Sequence, residues 1–210
     1  MAKQVVQAKI RGFICTNAHP TGCAQNVRNQ IDYVQQTIVP QKTGLNVLII
    51  GASTGYGLAS RIALAAGYGM NTVGVFFEKP PDNWRTATAG YYNTVAFHQY
   101  AEREGLKAFS INGDAFSEEI KSQTIDLIQK ELGQVDLVIY SLAAPRRIHP
   151  HTGVDHRAVL KPIGCPYVDK TIDLVEEQIV EVVIDPAIEQ EITDTVAVMG
   201  GEDLTFWVDQ

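Results

Sequence analysis

Cysteine is scarce in this chain: Cys15, Cys23 and Cys165 are the three among 210 residues. An odd number without regular spacing excludes a disulfide framework and fits a reducing compartment. No apolar run approaches the roughly 20 residues that a membrane-spanning helix needs. The start, MAKQVVQAKIRG, lacks both the apolar core and the small-residue cleavage site of a secretory signal. The expectation is a cytoplasmic protein with no membrane span. Positive charge is also in short supply, with a formal net charge of −7 that argues against a nucleic-acid partner. The shortage is local. Residues 169 to 210 hold twelve acidic side chains and one basic one, Lys170, so residues 1 to 168 carry about +4 (16 basic against 12 acidic). An anionic ligand suits the mildly positive part, although a solvated acidic face accounts for the same imbalance. Internal repeats and low-complexity segments are absent.

What is present is an alternation of apolar runs and helical patterns. Residues 45 to 50, LNVLII, read as a buried parallel strand. GASTGYG follows, then a helix in which Leu58, Ile62 and Ala65 or Ala66 share a face and Gly67 or Gly69 ends it. Residues 72 to 77 predict a second strand. Residues 91 to 104 predict a helix with Tyr91, Val95 and Phe97 or His98 on its inner side, and 107 to 111 a third strand. Ser117 is a good N-cap, with Glu118 and Glu119 in the first turn where the helix dipole favours acid. Ile120, Ile125, Leu127, Ile128 and Leu132 make that helix's stripe, Gly133 stops it, and 135 to 140 predict a fourth buried strand. Strands alternating with helices imply a parallel sheet with right-handed crossovers. Beyond Ala144 the pattern weakens: PRRIHPHTG reads as a loop, 178 to 184 as a strand outside the series, Asp185-Pro186 as the opening of a helix, and GGEDLTFWVDQ as a further element.

The expectation is a Rossmann-type, doubly wound α/β pattern, and because such a sheet normally has about six strands it is expected to be incomplete at its C-terminal side. It reads as one domain over 1–210, with an N-terminal extension (1–44), a core nucleotide-binding region (45–144) and a partial substrate-side region (145–210). The turn Gly51-Ala52-Ser53-Thr54-Gly55-Tyr56-Gly57 lies between strand and helix, where glycine lets backbone approach a pyrophosphate and the helix start offers free N–H groups. Ser53 and Thr54 can add hydroxyl donors. A tight turn without a ligand is the weaker reading, because the strand before and the helix after supply the required context. Phe77-Glu78 ends the second strand, and a carboxylate there can accept from both ribose hydroxyls and repel a 2′-phosphate, so NADH is expected over NADPH. Lys79 offers a cation nearby. Asp114-Ala115, after the third strand, falls where adenine would lie, and Leu142-Ala143, after the fourth, where the ribose and nicotinamide would pass; each is equally compatible with loop structure.

Together, RGFICTNAHPTGC, GASTGYG, GVFFE, INGDAF, YSLAAPRR and VAVMGGED resemble the FabV-type enoyl-[acyl-carrier-protein] reductases and the related trans-2-enoyl-CoA reductases, from about Arg11 to about Val208 and more loosely between Cys165 and Asp185. The resemblance implies NADH-dependent reduction of the trans-2 double bond of an enoyl thioester on acyl carrier protein or coenzyme A. It implies cofactor contacts at Gly51, Ala52, Ser53, Thr54, Gly55, Tyr56, Phe77, Glu78, Asp114, Ala115, Leu142 and Ala143. It also implies a chain about twice this length, whose catalytic Tyr-x8-Lys lies in the second half. Tyr33/Lys42 has that spacing and Tyr100/Lys107 a Tyr-x6-Lys spacing, but both sit in the wrong part of the pattern, and Tyr-x3-Lys does not occur. No catalytic residue is assigned, and the alternative is a cofactor-binding fragment without turnover. Cys15-x3-His19-x3-Cys23 lacks a fourth ligand and reads as loop structure, so no metal is expected. His149, His151 and His156 read as a solvated loop. Arg146-Arg147 suit either coenzyme A phosphates, an acidic carrier, or surface salt bridges.

Overall fold

The computed structural model describes residues 8–11, 14–82 and 85–209. The chain divides into two compact units, Met1–Leu142 and Ala143–Gln210. Of the stretch MAKQVVQAKIRG, read as lacking a secretory signal, residues 1–7 and 12 lie outside the described residues.

The first unit begins with a small antiparallel pair, β1 (Ile10–Arg11) and β2 (Ile14–Cys15). Helix α1 (Pro20–Thr37) follows. Its start corrects the reading of the stretch from His19 to Cys23 as loop structure: Pro20 opens the helix, where its missing N–H costs nothing, and the N-cap His19 accepts from the Gly22 N–H at 3.1 Å through Nδ1. Val27, Ile31 and Val34, at helical spacing, are buried against α2 and α3 in one apolar cluster. The segment expected as an extension thus supplies a core helix.

A four-stranded parallel sheet follows, built from β3 (Asn46–Ile50), β4 (Asn71–Phe76), β5 (Ala108–Asn112) and β6 (Leu137–Tyr140), in the spatial order β5-β4-β3-β6. The crossovers are α2 (Gly55–Tyr68), α3 (Ala89–Arg103) and α4 (Glu118–Glu131). β3 and β4 are central and buried along nearly their whole length, which explains their uninterrupted apolar sequences. β6 corrects an expectation: it is an edge strand and only half-buried, with Leu137 41% exposed. α3 carries a second correction. Val95 points outward, and the inner side is formed by Gly90, Asn93, Thr94, Phe97 and Ala101, a helical repeat disguised by small and polar residues. Ser117 caps α4 as expected, accepting from Ile120 N–H at 3.3 Å.

Between α2, β4 and α3 lies a fully buried Arg61. Its Nε donates to Thr72 Oγ1 (3.1 Å), Nη1 to Ser110 Oγ (3.1 Å) and Nη2 to the Phe109 carbonyl (2.6 Å), and the guanidinium stacks 4.4 Å from the Phe97 ring centre. Burial pulls its pKa down to about 9, so it stays charged at neutral pH. Gly74 makes the room, since a Cβ there would meet Nη1 at 2.4 Å.

The second unit corrects the loop expected at PRRIHPHTG. Arg146–Ile148 (β7) and Asp155–Arg157 (β8) pair antiparallel, and the proline- and glycine-rich stretch is their turn. A ribbon of β9 (Tyr167–Asp173) and β10 (Gln178–Ile184) follows, of which the sequence reading found only the second strand. Helix α5 (Glu189–Met199) starts later than Asp185-Pro186 suggested, and α6 (Glu202–Val208) comes last. Among the described residues no helix is long and apolar enough to cross a membrane.

Candidate functional site

The loops at the carboxyl ends of β3, β4 and β5 gather most of the expected site residues, as parallel sheets with crossover helices require. The turn after β3 is set by close approaches. Gly51 has φ +87° and a Cβ there would meet the Ser141 carbonyl oxygen at 2.1 Å; a Cβ on Gly57 would meet the Gly51 carbonyl oxygen at 2.0 Å. Any side chain at either position would push the turn off the sheet. The N–H groups of Gly51 and Ala52 both donate to the Val75 carbonyl, at 2.8 and 3.0 Å. Those two amides therefore fix the turn rather than face a ligand. The first helical residues, Gly55, Tyr56 and Gly57, have no intrahelical acceptor, and the N-cap Thr54 makes no side-chain cap bond to them. Tyr56 is 87% exposed.

Glu78 follows β4 and is held from three sides. Its N–H donates to Asn112 Oδ1 (2.8 Å) and its carbonyl accepts from Asn112 Nδ2 (2.9 Å). Its carboxylate oxygen Oε1 accepts from the hydroxyl of Ser53 at 2.6 Å, a charge-assisted bond. The Ser53 hydroxyl, expected at the phosphates, is thus engaged by the acid that should face the ribose. Asn93 Nδ2 donates to the Ser53 carbonyl at 3.1 Å and ties α3 to the glycine turn. Phe77, beside Glu78, is 79% exposed. Gly90, Asn93 and Asn112 are missed by sequence reasoning. Asn112 lies inside the INGDAF motif, so its place at the end of β5 was the available signal; Gly90 and Asn93 carry none in sequence alone.

Asp114 is exposed and its Oδ1 accepts from Phe116 N–H at 3.0 Å, which shapes the entry to α4. Ala115 is buried, and its carbonyl accepts from Lys121 Nζ at 3.0 Å. Leu142 closes the first unit, just after Ser141 N–H donates to the Ile50 carbonyl at 2.8 Å. Ala143 opens the second unit and is exposed.

The other constellations resolve differently. Arg147 is buried, with Nη1 donating to the Ala197 carbonyl (2.6 Å) and to Glu202 Oε2 (2.7 Å), and Arg146 pairs with Asp155 at 2.7 Å. Arg147 therefore cannot serve as a surface contact for phosphate. His149 and His156 are not solvated: His156 Nδ1 lies 2.7 Å from Asp194 Oδ1, and His149 Nε2 lies 3.4 Å from Glu202. His151 is the exposed one and packs edge-on to Phe206. The side chain of Cys15 lies outside the described residues, and among those described no three His, Cys, Asp or Glu groups are placed to hold a metal. Tyr100 is buried in the helical layer, accepting from Gln35 Nε2 at 3.4 Å, and Lys107 Nζ donates to the Glu131 carbonyl, so this pair forms no site.

The parallel sheet with its crossover helices, and the glycine turn that leads from β3 into α2, define a Rossmann-type α/β protein. The chain belongs to the trans-2-enoyl-CoA reductase family. The family model described as the trans-2-enoyl-CoA reductase catalytic region matches residues 85–210, and one described as the NAD(P)H binding domain of trans-2-enoyl-CoA reductase matches 5–83. The enoyl-[acyl-carrier-protein] reductase [NADH] of Pseudoalteromonas atlantica is 57% identical over 205 residues, covering 98% of this chain and 52% of that protein. The enzyme of the same name from Flavobacterium johnsoniae is 56% identical over 207 residues, with 98% and 52% covered. Treponema denticola trans-2-enoyl-CoA reductase in complex with NAD superposes with a TM-score of 0.91 at 45% identity, over 99% of this chain and 53% of that one. The Clostridium acetobutulicum trans-2-enoyl-CoA reductase in complex with NADH gives 0.89 at 39%, over 98% and 52%. The chain spans about half the length of the relatives it matches.

Proposed function

We propose that these residues form the cofactor-holding part of an NADH-dependent reductase of trans-2-enoyl thioesters, carried on acyl carrier protein or coenzyme A. The observation that carries this reading is the Ser53–Glu78 pair beside the glycine turn, since it sets a fixed carboxylate where an adenosine ribose would lie. The residues fit the group. The uncapped start of α2 offers N–H groups and a positive dipole end to a pyrophosphate, Glu78 accepts from ribose hydroxyls, and Asp114 is exposed at the adenine end. NADH, when bound, supplies the hydride for the β-carbon of the double bond. The relatives' names supply the acyl substrate class.

Tyr100 and Lys107 form no site, since Tyr100 is buried beside Gln35 and Lys107 Nζ donates to the Glu131 carbonyl, and a second reading is cofactor binding without turnover by these 210 residues alone. Titrating the chain with NADH in a calorimeter, then adding crotonyl thioester and following NADH absorbance, separates the two. Saturable binding with no absorbance loss supports the second reading. Turnover places the proton donor within this chain. Absence of NADH binding refutes both.

A further inference from the structure

The first turn of α3 packs against the carboxylate of Glu78. An ideal Cβ on Gly90, the second residue of that helix, would lie 2.0 Å from Glu78 Oε1, 2.5 Å from its Cδ and 2.8 Å from the Ser53 Cβ. These distances are shorter than real Cβ contacts tolerate, and the atoms they meet are the two side chains of the hydrogen-bonded pair. The backbone of Gly90 is not in the left-handed region. The helix therefore accepts an L-residue there, and glycine is the less favourable choice by up to about 1 kcal/mol of helix propensity. What forbids a side chain is the seat it would fill. Neighbouring bonds make that seat rigid. Thr94 Oγ1 donates to the Gly90 carbonyl at 2.9 Å, Asn93 ties the same helix to the Ser53 carbonyl, and Asn112 grips the Glu78 backbone.

We propose that Gly90 is a specificity-determining residue of the nucleotide site: by carrying no side chain it keeps open the seat in which Ser53 fixes the Glu78 carboxylate. The inference rests on the reading of Glu78 given under the proposed function. With Oε1 bound by Ser53, Oε2 is the oxygen presented to a ribose hydroxyl. Fixation also sharpens discrimination. A mobile carboxylate would swing away from a 2′-phosphate and blunt the repulsion, whereas one bound by Ser53 must first break that hydrogen bond. Gly90 thus acts through Glu78 as a positioning residue and touches no ligand itself.

The test titrates NADH and NADPH into the 210-residue chain and into Gly90→Ala, Ser53→Ala and the double variant Gly90→Ala/Glu78→Ala, with a thermal melt of each. Gly90→Ala should bind NADH about tenfold more weakly, the loss expected when a hydrogen bond to a charged group goes, while NADPH affinity holds or rises. Ser53→Ala, which adds no atom, should show the same selective loss at about threefold. In the Glu78→Ala background, Gly90→Ala should leave NADH affinity within a factor of two. Equal weakening of both nucleotides by Gly90→Ala and Ser53→Ala would mean a merely structural role and overturn the proposal, as would an unchanged NADH-to-NADPH ratio. Failure of the unsubstituted chain to bind either nucleotide overturns the reading of the site itself, and so is told apart from these.

Discussion

The side-chain amide of Asn112 closes two hydrogen bonds on the backbone of Glu78, accepting from its N–H at 2.8 Å and donating to its carbonyl at 2.9 Å. The end of β5 thereby fixes the residue that leaves β4, and fixes it as a peptide unit, independently of the carboxylate. Asn112→Ala removes both bonds and should cost about 1–2 kcal/mol of stability. Chemical denaturation of the variant checks this. NADH affinity should fall with it, because the strand end can then move.

Arg61 on α2 and Gly74 on β4 form a second close pair, between helix and sheet. Gly74→Ala would place a methyl group at 2.4 Å from Nη1 and displace a charge with no solvent to receive it. A loss of about 2–4 kcal/mol is expected, from overpacking together with broken buried hydrogen bonds. A melt of Gly74→Ala within a degree of the parent would show that the guanidinium has room to move.

His98 gives the fold a pH dependence of defined sign. Its Nε2 lies 2.7 Å from Ser110 Oγ, which itself accepts from Arg61, so the serine proton is directed at a neutral imidazole. Burial, and then the Arg61 charge, lower the His98 pKa from 6.5 to about 4. Between those values the unfolded chain binds a proton that the folded chain refuses. This contribution is therefore complete above about pH 6.5 and is lost as pH falls towards 4, with a slope of at most about 1.4 kcal/mol per pH unit. Urea titrations at pH 7 and pH 5 should show the drop, and His98→Gln should reduce it.

The β9–β10 ribbon presents Val168, Ile172, Ile179 and Val183 on one face, each 56–70% exposed. Exposed apolar strand faces associate. The isolated chain should self-associate at high concentration, and Ile172→Lys with Ile179→Glu should suppress this in sedimentation while leaving the melting temperature nearly unchanged. A parent chain that sediments as a monomer at every concentration would contradict the expectation.

The sheet was legible because its central strands are uninterrupted apolar runs followed by glycine or acid, and both signals are local. Glu78 and the glycine turn were legible for the same reason. α1 was hidden by its polar face and by the loop-like spacing of Cys15, His19 and Cys23, although Val27, Ile31 and Val34 already stood at helical spacing. The hairpin of β7 and β8 was hidden because three-residue strands carry too little periodicity to outweigh Pro145, Pro150 and Gly153. The Ser53–Glu78 bond spans 25 positions, and Gly90 matters only because of what packs against it. Neither is a property of any short segment, so only the folded chain displays them.

The ratio of NADH to NADPH affinity in the parent chain and in Glu78→Gln, a change that keeps shape and removes charge, measures the role of Glu78 most directly. The parent should bind NADH at least about tenfold more tightly than NADPH, and Glu78→Gln should bring the two within about threefold, equivalent to losing roughly 0.7 kcal/mol or more of discrimination. A parent that binds both nucleotides equally, or a ratio that survives the substitution, would contradict it.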